Sequence, residues 1–154
     1  MEIYRVSFIG HRTLYNTKDV ECALEEIISD LIRDREYVEF YVGRNGDFDI
    51  SVASAVKRAQ KKYGKENSSL ILVLPYRVKD EYLLSEFYDD INLPVDKKTH
   101  FKLAISKRNE WLVDNSDLLV AYVEREYGGA YTTMKYAKKQ VKNIINIWDL
   151  INIK

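Results

Sequence analysis

Ser69-Leu70-Ile71-Leu72-Val73-Leu74, SLILVL, is the one stretch in which five aliphatic residues follow without interruption, and Pro75 closes it. A run this short, β-branched and stopped by proline reads as a strand buried on both faces of a parallel sheet. Upstream, Gly64 ends a helical segment around Ile50–Tyr63 as its C-cap, with Val52, Ala53, Val56 and Ala59 on one face. Before it, Tyr37–Val42 (YVEFYV) is a second strand closed by Gly43. Val20, Ala23, Leu24, Ile27, Ile28, Leu31 and Ile32 form a helical stripe of about four turns, with Asn16 or Thr17 as N-cap, and residues 3–9 (IYRVSFI) are the first strand. Downstream, residues 78–92 read as an irregular helical excursion, Lys102–Val113 as a helix, Asp117–Val123 as a strand, Gly129–Val141 as a helix and Asn143–Trp148 as the last strand.

Strand and helix alternate throughout, and a parallel connection must cross over through a helix. The expected class is α/β: a Rossmann-like, open, doubly wound, mainly parallel sheet of about five strands with helices on both faces. No linker or repeat divides the 154 residues, so a single domain over 1–154 is expected. Lys plus Arg (24) equals Asp plus Glu (24), which gives no net field toward nucleic acid or an anionic membrane. The single cysteine, Cys22, excludes an internal disulfide or a Cys-rich zinc site, and with no signal-like N-terminus suits a reducing cytoplasm. No apolar run is long enough to span a bilayer.

In such a sheet, ligands bind beyond the carboxyl ends of the strands. Five of the six glycines fall in three loops at that edge. Gly10-His11-Arg12 follows the first strand: the glycine lets a ligand approach the main chain, Arg12 offers a permanent charged fork, and His11 is either a hydrogen-bonded turn residue or an acid or base. Gly43-Arg44-Asn45-Gly46-Asp47-Phe48-Asp49 follows the second, where Asp47 and Asp49 either cap the next helix or accept from ribose hydroxyls or a base edge. Gly128-Gly129-Ala130-Tyr131-Thr132-Thr133 opens a helix whose N–H groups and threonine hydroxyls can wrap a phosphate, with Tyr127 or Tyr131 over a base or sugar. No His or Cys joins the aspartates, so no metal is expected, and the P-loop and G-x-G-x-x-G patterns are absent. Lys57, Arg58, Lys61, Lys62 and Lys65, and Lys135, Lys138, Lys139 and Lys142, read as solvated helix faces, so nucleic acid is not expected as a partner.

The order FIGHR, GRNGDFD, NEWLVDNSDLLVAY and YGGAYTTMKYAKK, spanning Phe8 to Ile147, resembles the SLOG superfamily, the Rossmann-like group that joins DprA/Smf proteins and LOG phosphoribohydrolases, and within it the YpsA-like branch of small bacterial proteins. The resemblance implies a nucleotide site at the strand ends, built from Gly10, Arg12, Gly43, Gly46, Asp49, Gly128, Gly129 and Thr132, with Asp114, Asn115 and Asp117 before the fourth strand, and it implies a symmetric homodimer. LOG hydrolases carry PGGxGTxxE with a catalytic Glu; here Tyr127 stands at the Pro, Tyr131 at the third Gly and Lys135 at the Glu. DprA-like proteins also engage single-stranded DNA, against which the neutral charge of this chain is set. The expected function is binding or sensing of a small phosphorylated ligand such as AMP or an ADP-ribose-like molecule, with no cofactor required. The alternatives are an N-glycosidase or nucleotide hydrolase that uses Asp49, Glu124 or Glu126 with His11 as acid or base, and a protein-interaction scaffold.

Overall fold

SLILVL forms most of β3 (Ser68–Val73), which lies second from one edge of a six-stranded parallel sheet and is hydrogen-bonded on both sides. The computed structural model describes residues 1–152; residues 153 and 154, the last two of the expected domain, lie outside the described residues. The other elements are β1 (Ile3–Gly10), α1 (Thr17–Asp34), β2 (Tyr37–Val42), α2 (Asp47–Tyr63), α3 (Glu81–Phe87), β4 (Asp90–Asn92), α4 (Phe101–Asp114), β5 (Leu118–Tyr122), α5 (Gly129–Lys139), β6 (Asn143–Asn146) and α6 (Ile147–Ile151).

The central strands feed two cores, one on each side of the sheet. Val6, Phe8, Phe40, Leu70, Val120 and Tyr122 pack with Val20, Leu24 and Ile28 of α1 and Val52 and Val56 of α2. Ile9, Leu119 and Ala121 point the other way, onto Ala130, Met134 and Ala137 of α5, while Ile71 and Val73 meet Leu112 of α4. In β3 and β5 the alternation that half-buried strands show is absent, as a sheet covered on both faces requires, whereas β1 and β2 carry Arg5, Ser7 and Glu39 on one face. Strand order is β4-β3-β2-β1-β5-β6. The chain winds outward from β1 to β4, then returns past β1 to β5 and β6, so the winding reverses between β1 and β5.

Three details correct the sequence reading. The sheet has six strands rather than about five, because residues 78–92 divide into α3 and the short strand β4. The last strand stops at Asn146 instead of Trp148; the Asn146 Oδ1 accepts the N–H of Trp148 and caps α6. Asn16 stands at the N-cap of α1 without capping it, and its Oδ1 accepts the Tyr122 hydroxyl at 3.0 Å instead. Among the described residues, no helix is long and apolar enough to cross a membrane.

Candidate functional site

Where the winding reverses, the loops after β1, β2 and β5 are tied to one another by short polar links. The imidazole of His11 is buried, its Nε2 accepts the N–H of Glu124 at 3.0 Å, and its ring meets Tyr122 edge-on. Burial and the charge of Arg125 lower the His11 pKa, partly opposed by Glu124, which keeps the ring neutral with the Nε2 lone pair available to that N–H. Arg12 is held in turn: its carbonyl accepts the Asp47 N–H at 2.7 Å and its Nε donates to the Asn45 carbonyl at 3.1 Å. Gly46 permits this contact, since a Cβ there would stand 2.5 Å from the Arg12 carbonyl oxygen. The Asp47 carboxylate accepts the Leu14 N–H at 3.0 Å, so it fastens the first loop to the second.

These loops surround a cavity of about 270 Å3. Gly10, His11 and Arg12 line one side and Gly128, Gly129 and Ala130 another; Asn45 and Asp49 enter from the second loop, Ile105, Arg108 and Asn109 from α4, and Arg125 from the third loop. The structure thus brings together seven of the residues expected from sequence and adds Asn45, Ile105, Arg108, Asn109 and Arg125. Arg108 is the deepest of the added residues, 1% exposed. Its Nη1 donates to the Val73 carbonyl at 2.9 Å and its Nε to Asn109 Oδ1 at 2.9 Å. Arg125 has a buried Nε without a protein acceptor. Against three guanidiniums the lining offers one carboxylate, Asp49. Burial raises the Asp49 pKa, while the Asn45 N–H (2.8 Å to Oδ2) and the Arg108 charge pull it back.

The third loop brings the amino end of α5 to the same cavity. The first N–H groups of a helix have no partner within it, and the helix dipole adds partial positive charge there. Gly128 takes φ +96°, which calls for glycine, whereas Gly129 has an ordinary backbone and no atom within 4 Å of where its Cβ would lie. Nothing in the fold therefore requires a glycine at 129. Gly129→Ala is expected to leave the thermal midpoint unchanged or slightly raised, and to weaken phosphate binding by crowding the bare helix end, measured by calorimetric titration.

Other expected residues stand outside the lining. Gly43 is buried behind it; a Cβ there would stand 2.8 Å from Arg108 Nη1 and 3.2 Å from Asp49 Oδ2, so its bareness seats that pair. Arg44 is exposed and pairs with Asp80 at 3.3 Å. Thr132 and Thr133 turn their hydroxyls back on α5, donating to the carbonyls of Gly128 and Gly129. Glu124, Glu126 and Lys135 are exposed and line no part of the cavity. Asp114, Asn115 and Asp117 lie at the opposite, amino-terminal edge, where Asp117 accepts the Arg5 N–H at 2.9 Å. Wider grooves, about 580 Å3 at that edge and about 570 Å3 along α1, contain no buried donor lacking an acceptor. Among the described residues, no group of three or more His, Cys, Asp or Glu side chains is placed to hold a metal ion.

No protein-family model matches the chain, and no curated protein matches it. Solved structures share its fold. DNA processing protein A (DprA) from Streptococcus pneumoniae superimposes with a TM-score of 0.66 at 12% identity, covering 92% of this chain and 49% of that one. DprA from Helicobacter pylori, a structure described for its single-stranded DNA binding mode, gives 0.64 at 14% identity, covering 92% and 63%. The molybdenum cofactor carrier protein from Chlamydomonas reinhardtii gives 0.58 at 14% identity, covering 93% and 75%. The chain spans about half of the first and under two thirds of the second. It has the DprA-like Rossmann fold that the order of its motifs implied. One expectation is overturned: nucleic acid was not expected as a partner on the ground of zero net charge, yet a protein of this fold is described binding single-stranded DNA. Net charge is a sum over the whole chain, and it says nothing about three arginines gathered at one cavity.

Proposed function

We propose that the cavity binds the phosphate of a nucleotide unit, free or carried in a single strand. The observation that carries this reading is the convergence of Arg12, Arg108 and Arg125 with the amino end of α5 on one small cavity that holds a single carboxylate. Arg125 offers a desolvated Nε that has no acceptor in the protein and that a phosphate oxygen satisfies. Asp49 is the acceptor available to a sugar hydroxyl. The fold comparisons with DprA favour the single-strand form and the motif order favours the YpsA-like branch.

The test is a thermal-shift and calorimetric panel of inorganic phosphate, ribose 5-phosphate, AMP, ADP-ribose and a short single-stranded oligonucleotide at low salt. A ligand at 100 times its Kd adds about 2.7 kcal/mol, roughly 5–10 °C for a chain of this size. Arg12→Ala and Arg125→Ala, both at accessible positions, are expected to weaken binding about 10- to 150-fold by loss of a charged hydrogen bond. If no member of the panel binds, or if both variants bind as the wild type does, the phosphate site is wrong.

A further inference from the structure

At about 270 Å3 the cavity falls just below the roughly 300–1,000 Å3 that encloses drug-sized ligands, so a phosphate and part of a sugar fill it and the remainder of a nucleotide lies at its mouth. Tyr127 stands in the third loop between Arg125 and Gly128, which both line the cavity. The residue is 68% exposed, and the Arg125 guanidinium carbon lies 5.3 Å from its ring centroid, within cation–π range. The two glycines that follow put no side chain beside it, with nothing within 4 Å of either missing Cβ. Ile105, 38% exposed, supplies an apolar wall from α4. An exposed aromatic ring held against a cation that serves the phosphate site has no packing role to explain it.

We infer that Tyr127 is a stacking platform for the nucleobase of the bound nucleotide, and this rests on the phosphate reading above. Stacking accepts any base, because every base has a π face, and the platform adds only one hydroxyl for hydrogen bonding. The site therefore takes a nucleoside monophosphate, or the corresponding unit of a strand, of any base, in preference to a sugar phosphate that lacks one. The base lies over the Tyr127 ring while Arg125 holds the ring from its other side and reaches the phosphate.

Calorimetric titration of the full chain with inorganic phosphate, ribose 5-phosphate, AMP, GMP, CMP and UMP tests this. The four nucleotides are expected to bind about 5- to 150-fold tighter than ribose 5-phosphate and within about tenfold of one another. Tyr127→Ala removes that advantage while leaving ribose 5-phosphate and inorganic phosphate unchanged, and Tyr127→Phe keeps it. Nucleotides no tighter than ribose 5-phosphate, or a Tyr127→Ala variant that weakens all ligands equally, overturn the platform while the phosphate site stands. If wild-type protein binds none of the six, the phosphate site falls and the platform with it.

Discussion

Arg108→Met is expected to destabilise the protein by about 3–5 kcal/mol at pH 7, the cost of removing one member of a buried charged set, and to lower the thermal midpoint on the order of 10 °C. Methionine restores much of the volume, so the loss is electrostatic and polar. The Val73 carbonyl and Asn109 Oδ1 lose their donors, and Asp49 loses its nearest compensating charge. The pH dependence identifies the last of these. Burial already holds the Asp49 carboxyl above its ordinary value of 3.8, so ionising it costs the folded state; that cost is absent at low pH, grows as pH rises through the folded-state value, and is complete above it. Without Arg108 the folded value climbs further, and the deficit extends toward neutral pH. Urea unfolding at pH 5 and pH 8 should show the larger Arg108→Met deficit at pH 8, and Asp49→Asn in that background should recover part of it. A deficit that is the same at both pH values and untouched by Asp49→Asn would show that the two side chains are not coupled.

Arg108 also shows why the site was only half legible. The glycine loops announced themselves because turn chemistry is local, and five of their positions at the first and third loops do line the cavity together with Arg12 and Asp49. Arg108 sits in the middle of α4, where an arginine reads as surface. Its neighbours at four-residue spacing, Ala104 and Leu112, are 2% and 1% exposed, so a cation in the apolar stripe of a helix was the available signal. β4 had no local signal at all: Asp90-Ile91-Asn92 lacks a strand pattern and is held by contacts from afar, with the Asp89 carboxylate accepting the Leu70 N–H at 2.7 Å and the Asn92 carbonyl accepting the Leu74 N–H at 2.9 Å. The parallel sheet itself was legible from SLILVL, since apolarity on both faces leaves a strand nowhere else to go. Net charge was the misleading quantity: it averages over the chain what the fold concentrates at one edge.

The glycines that looked alike in sequence are expected to respond in opposite ways when substituted, and Gly10 is the extreme. It pairs with Tyr122 in the sheet, its backbone needs no special conformation, and it lines the cavity, all of which suits a glycine kept bare for a ligand. Its missing side chain is occupied from within: a Cβ there would stand 2.3 Å from Cγ of Phe48. Phe48 is 1% exposed and stacked on Tyr122, so its ring has no free volume to retreat into. Gly10→Ala should therefore cost about 1–3 kcal/mol through overpacking, whether or not ligand is present, in contrast to Gly129→Ala, which should spare the fold and touch binding. Phe48→Ala alone should cost about 3–5 kcal/mol. The double variant should be less destabilised than the sum of the two, because the new methyl then occupies space the ring has vacated. Strict additivity in urea unfolding would mean that Gly10 and Phe48 do not compete for one space, and the glycine would then have to be explained by the ligand after all.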